Sequence, residues 1–267
     1  MKISRKFKPL FELPKAWGEV ERLSFSGLNK VDSLRLTELI ELNEIEDLEE
    51  DVKEIIKELR YKGLTKKQSD KLDYWIALSA VSIVSITGGR ESSKTFTASL
   101  ASADRVVNYG YRELYTRYTM KSGGYVDFSG IKASSGNQSA NLKSLEDYCV
   151  FTVEEGEEFP TFEEWDKIEL SFRAKDVQPF SVFIMNPSTK KFWWFVKMFK
   201  ERGVKAGFNG IKGNVLYIHT TYLDLGKKFV AKKNWDKYEA ARIVYERIEL
   251  LTKEERKQQS KNDIRTW

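Results

Sequence analysis

Residues 83–95 read Ile-Val-Ser-Ile-Thr-Gly-Gly-Arg-Glu-Ser-Ser-Lys-Thr, an apolar run that enters two glycines and then a lysine and a threonine. A helical pattern opens at Lys94 and extends to Asn108. A strand that runs straight into a helix through a glycine turn leaves the loop N–H groups and the helix N-terminus facing one point, where a phosphate chain is held. The spacing predicts that Gly88, Gly89, Arg90, Glu91, Ser92, Ser93, Lys94 and Thr95 wrap such a group. Lys94 would reach the outer phosphates and Thr95 would ligate Mg²⁺. Ser93 stands where the pattern usually has glycine, and a right-handed backbone at the helix start is expected to make that cheap. Glu91 is expected to point to solvent or pair with a base, since a carboxylate aimed at phosphate is repulsive. The plain alternative is a strand–turn–helix with a chance Lys-Thr.

The rest of the chain supplies a context for that loop. Apolar runs at Ala80–Thr87, Glu113–Tyr118, Tyr125–Ile131, Tyr148–Val153, Phe180–Met185 and Val215–Tyr222 alternate with helical stretches at Lys94–Asn108, Thr161–Arg173 and Lys191–Arg202. Such alternation predicts an α/β fold, a parallel sheet flanked by helices. Ahead of it lies an irregular basic and aromatic arm around Lys6, Phe7, Lys8, Pro9 and Phe11. Leu39, Leu42, Ile45, Leu48, Val52, Ile55 and Leu59 then recur every three or four residues, which predicts one helix from Asp32 or Ser33 to Gly63. The tail from Asn234 to Lys261 reads as a charged helix. The expected division is 1–71 for arm and helical extension, 72–225 for the core and 226–267 for a lid.

Composition narrows the chemistry. One Cys excludes an intramolecular disulfide framework, and one His excludes a His-rich metal site. No run reaches the roughly 20 apolar residues of a membrane span, so a soluble, intracellular protein is expected. A net charge of +5 permits contact with nucleic acid.

A second motif lies downstream. Tyr148 to Val153 is an apolar strand that ends in Glu154-Glu155. If that strand neighbours the loop strand, Glu154 holds the metal through water and Glu155 activates the attacking water. A third run, Phe180–Met185, ends in Asn186-Pro187, where a polar side chain can touch the outer phosphate or simply terminate the strand.

The order of these motifs, with Gly130 to Ser144 between them and Tyr217 to Asp224 after them, resembles the ATPase domain of tailed-phage terminase large subunits. The resemblance implies a P-loop NTPase of the RecA-like, ASCE type that binds ATP and Mg²⁺ and pumps double-stranded viral DNA through the portal protein into the capsid. Lys94 and Thr95 match the Walker A lysine and hydroxyl, and Glu154 and Glu155 the Walker B acid and catalytic glutamate. Asn186 matches the coupling motif, Arg90 the P-loop arginine, and Lys143 a basic residue that acts on a neighbouring subunit. The resemblance also implies a homo-oligomeric ring, a small terminase subunit as partner, and a place in the infected host's cytoplasm at the procapsid portal vertex. Members continue into a nuclease; this sequence ends at Trp267, so an ATPase without nuclease activity is expected.

Lysine clusters at Lys66-Lys67, Lys227-Lys228, Lys232-Lys233 and Lys253 to Lys261 are candidates for the DNA backbone, as are Lys190, Lys191, Lys197 and Lys200 beside Trp193, Trp194, Phe195 and Phe199. Each can equally be a solvated face, and the Trp pair a helix core. Gln68, Tyr74 and Trp75 are the candidates for adenine. Two other readings stay open: another DNA-dependent P-loop ATPase of helicase or recombinase type, and a nucleotide-binding assembly scaffold without turnover.

Overall fold

The fold was analysed in a computed structural model, which describes residues 3–45, 47–89, 92–114, 118–119, 125–127, 148–154, 156, 177, 179–186, 199, 201–205 and 207–250. The expected helices at 161–173 and 191–202 lie outside these residues, except Phe199, Glu201 and Arg202.

The amino-terminal arm is helical rather than irregular. A 3₁₀ turn at Arg5–Phe7 leads into α1 (Lys8–Glu12), a second turn at Leu13–Lys15 and α2 (Ala16–Phe25). Pro9 and Pro14 sit in the first turns of their segments, where the missing N–H is no loss. Phe7 and Leu10 are fully buried among sheet residues, and burial of each contributes about 1.5–3 kcal/mol. Arm and sheet therefore share one core.

The long helix expected over 32–63 is two helices, α3 (Lys30–Ile45) and α4 (Glu50–Tyr61). Leu36, Ile56 and Leu59 form a core of their own, packed by Leu39, Ile40, Leu48 and Ile55. One unbroken helix of that length would run about 45 Å and leave much of its stripe in water; folding back covers part of the stripe, while Leu42 and Ile45 stay exposed. The start is capped by Asn29, whose Oδ1 accepts from the N–H groups of Val31 and Asp32 at 3.0 and 2.9 Å. An unforeseen helix, α5 (Lys66–Ser79), follows. Thr65 and Gln68 begin it with a reciprocal capping box.

The sheet contains β1 (Ile83–Gly88), β2 (Arg112–Leu114), β3 (Tyr118–Thr119), β4 (Tyr125–Asp127), β5 (Val150–Glu154), β6 (Phe180–Met185), β7 (Gly210–Lys212) and β8 (Val215–Thr220), in the order β3-β4-β2-β5-β6-β1-β8-β7. From β4 to β8 in that order the strands are parallel, whereas β3 and β7 pair antiparallel to β4 and β8. The sheet is thus mixed, where a parallel one was expected. Strand β7 joins β8 through the two-residue turn Gly213-Asn214, a hairpin that needs no crossover.

Helix α6 (Lys94–Tyr109) follows β1 and ends at Gly110 in the left-handed region, φ 68°. After β8 come the short α7 (Tyr222–Leu225), a 3₁₀ turn at Lys227–Phe229 and α8 (Lys232–Glu249). Among the described residues, no helix is long and apolar enough to cross a membrane.

Candidate functional site

Strand β1 is buried at five of its six positions because α-helices cover the sheet, and Gly88 stands at its carboxyl end. Gly88 has no room for a side chain: a Cβ there would lie 2.2 Å from the Thr220 carbonyl oxygen. This close approach fixes the loop against the end of β8. Ser92 is buried under the loop, and Thr95, in the first turn of α6, is exposed.

Lys94 is 9% exposed and turns back over the loop. Its Nζ donates to the Gly88 carbonyl at 2.9 Å, the Gly89 carbonyl at 3.1 Å and Asn186 Oδ1 at 3.1 Å. The ammonium thus sits among the strand end, the loop and the end of β6. Ser93 precedes it with φ 61° and ψ 11°. That is left-handed backbone, not the right-handed start expected. The β1-to-α6 turn must reverse there to bring Lys94 back to the loop carbonyls, and among the described residues Ser93 is the one non-glycine at positive φ.

The acidic strand is placed differently from expectation. β5 is not beside β1, because β6 lies between them. β6 is buried at every position, so it takes a central place with neighbours on both edges, whereas β5 ends in the exposed Glu154. Glu154 is level with Ile184, and Ile184 with Ile86, so all three strands end at the same rim. Asn186, one residue beyond β6, accepts from Lys94. Arg90, Glu91, Lys143 and Glu155 lie outside the described residues. Among those described, no cluster of three or more His, Cys, Asp or Glu forms a ready-made metal centre. Thr95 and Glu154 carry side-chain oxygens, the ligand type that Mg²⁺ takes in small number alongside water and phosphate.

Two residues beside the loop were not foreseen. His219 Nδ1 lies 2.9 Å from Thr87 Oγ1, and the His219 backbone N–H donates to Asn209 Oδ1 at 2.8 Å. Burial pushes this imidazole below its ordinary value, with help from Lys6 and Lys94 and opposition from Asp224. Asp224 in turn is a junction. It accepts from Lys6 Nζ at 2.9 Å, Ser4 Oγ at 3.0 Å and the Thr221 N–H at 2.8 Å. Burial raises its carboxyl, but these donors together outweigh burial and hold it below the ordinary value. The run from Tyr217 to Asp224 was noticed in the sequence, but only folding shows that it backs the loop.

The adenine candidates all lie on α5. Gln68 caps α5, the Tyr74 hydroxyl donates to Glu12 Oε2 at 2.6 Å, and Trp75 is buried in the core. Of the aromatics beside the lysines, Phe199 meets the Tyr217 ring edge-on with centroids 5.0 Å apart.

The family model described as phage terminase large subunit matches residues 119–251. The match spans Lys143, Glu154, Glu155 and Asn186 and begins beyond the Gly88–Thr95 loop. No curated protein matches the chain.

Proposed function

We propose that this chain, which carries a phage terminase large subunit domain, is an ATP-hydrolysing motor domain that drives double-stranded DNA into a capsid. The observation that carries the proposal is Lys94. A lysine ammonium drawn to the loop oxygens at the head of a 16-residue helix is a cation positioned for a phosphate chain. Gly88, where the Thr220 carbonyl leaves no space for a Cβ, anchors the start of that loop against the end of β8.

In this reading the loop from Gly88 to Thr95 grips the phosphates of ATP through its backbone N–H groups, and Lys94 moves from carbonyl oxygens to phosphate oxygens. Thr95 and Glu154 hold Mg²⁺, which neutralises charge on the phosphates. Glu155 takes the proton of the attacking water. Asn186, already bonded to Lys94, transmits the change at the outer phosphate to the end of β6 and thus into the sheet. Arg90 stabilises charge at the same phosphate. Lys143 of one subunit completes its neighbour's site in a ring, though a lysine lacks the planar fork of an arginine. Segments 1–71 and 226–267 frame the 72–225 motor core. The portal protein and a small terminase subunit are the partners, in the host cytoplasm at the procapsid vertex.

The test is Mg²⁺-dependent ATP turnover with and without double-stranded DNA, for the full chain and for Glu155→Gln and Lys94→Ala. Loss of the base lowers turnover by roughly 10²–10⁴, and DNA stimulates the unmutated chain. ATP binding without turnover on an assembled portal would instead favour a scaffold, and DNA unwinding without portal binding a helicase.

A further inference from the structure

Helix α3 is apolar on two sides. Leu36, Leu39 and Ile40 belong to the core it shares with α4. Val31, Leu34, Leu42 and Ile45 lie on the opposite side and are 75%, 57%, 45% and 82% exposed. At 3.6 residues per turn these four fall within a stripe about 80° wide. A helix on the surface of a monomer needs one apolar stripe, and a second one marks a contact surface.

The residues of the stripe are arranged as a palindrome about Glu38. Val31 and Ile45 stand seven positions before and after it, and Leu34 and Leu42 four before and after. Arg35 and the oppositely charged Glu41 stand three before and after. Arg35, Glu38 and Glu41 are exposed, and none has an ion pair among the described residues. Asp32, off the stripe, is by contrast paired with Lys62 at 2.6 Å.

A two-fold pair of antiparallel helices sets each residue before the axis level with one after it. With the axis at Glu38, Val31 is level with Ile45 of the second copy, and Leu34 with its Leu42. Each Arg35 is level with Glu41 of the second copy and about 4.5 Å along the axis from its Glu38. One guanidinium thus answers two carboxylates. An unrelated partner would give no reason for this symmetry. The hairpin over residues 30–61 carries eleven acids against five bases, but α4 lies behind α3. Its charges stand a helix diameter of about 10 Å further back, beyond the screening length of about 8 Å at physiological ionic strength.

We infer that the outer face of α3 is a self-association surface on which two copies of this chain pair antiparallel, with Arg35 across from Glu38 and Glu41. A two-fold contact closes at two copies, unlike the head-to-tail contacts of a ring. It does not use the Lys94 loop, and its test needs no ATP.

The experiment is sedimentation velocity on the full chain from roughly 1 to 300 μM, the range that suits one helix face per copy, a small interface. A monomer–dimer equilibrium is expected. Leu34→Glu should weaken it about thirty-fold or more. Arg35→Glu should weaken it about ten-fold, and adding Glu41→Arg should restore most of the loss. Oxidative cross-linking locates the axis. Glu38→Cys meets its own copy between helices 8–10 Å apart and should form an intermolecular disulfide. Val31→Cys, about 21 Å from its own copy, should not; the native Cys149 is buried. All these positions are exposed, so the variants keep the fold. A monomer throughout the range, a dimer indifferent to Leu34→Glu, a double charge exchange that restores nothing, or equal cross-linking of Glu38→Cys and Val31→Cys each overturns the inference.

Discussion

Lys94 and Asn186 share a hydrogen bond of 3.1 Å that ties the head of α6 to the end of β6. The two residues are 92 positions apart, and the lysine also donates to two loop carbonyls. Removing Asn186 leaves those two oxygens in place. Asn186→Ala should therefore change ATP affinity less than about three-fold while turnover falls about ten-fold or more, the pattern of an interaction used in the transition state. Isothermal titration beside steady-state kinetics separates the two, and a loss confined to affinity would remove Asn186 from the coupling role.

Ser93 holds a left-handed backbone that glycine adopts without strain. The conformation costs a non-glycine residue roughly 1–2 kcal/mol, partly offset by the greater freedom glycine loses on folding. Ser93→Gly should raise stability by about 0.5–1 kcal/mol, read as a higher denaturant midpoint with an unchanged slope.

Gly88 predicts the reverse. Alanine would press its Cβ to 2.2 Å from a backbone oxygen of β8, an atom that cannot rotate away. Gly88→Ala should cost about 2 kcal/mol or more, and the Lys94 contacts should be lost with it. A melting temperature within a degree of the unmutated chain would contradict this placement.

Acid should loosen the Asp224 junction. Its carboxyl lies below the ordinary 3.8 in the folded chain. A depressed carboxylate contributes stability that is complete above its unfolded value and lost as pH falls through the folded one. Below about pH 4 the contribution fades. Asp224→Asn should lower stability at neutral pH and flatten the decline in that acid window, measured by urea titrations across pH.

His219 works in the same sense at higher pH. Its imidazole is depressed below 6.5, so the neutral ring is favoured in the folded chain. Stability should be full above pH 6.5 and fall as pH drops through the folded value. The single histidine gives one ring resonance to follow by NMR, and a midpoint above 6.5 would contradict the structure.

Local patterns in the sequence were enough for some elements. Phe180–Met185 was read to both ends, and α6 to within a residue, because a continuous apolar run and a period of 3.6 are visible in any window. What depends on partners was not visible. β7 is three residues of middling burial that become a strand only by pairing with β8. The lateral order that puts β6 between β1 and β5 is decided by burial on both faces, which no single strand states. Of the apolar stripe read from Leu39 to Leu59, Leu39, Leu48, Ile55 and Leu59 share a core whereas Leu42 and Ile45 are exposed, and the fold into a hairpin follows from what the stripe packs against. At the site, Lys94 and Gly88 were legible from spacing. Ser93's backbone, His219 and the Asp224 junction were not, since they arise from loop closure and contacts over 132 and 220 positions.

The grip of Ser4 and Lys6 on Asp224 sets an order of events during synthesis. The arm is made well before its polar anchor, which lies 220 positions further along, and Phe7 and Leu10 belong in a core whose β8 strand does not exist until residue 220. A nascent chain must hold those apolar side chains unburied until β8 has been made. Completion of the sheet and capture of the arm thus both wait on β8, the piece whose arrival permits them.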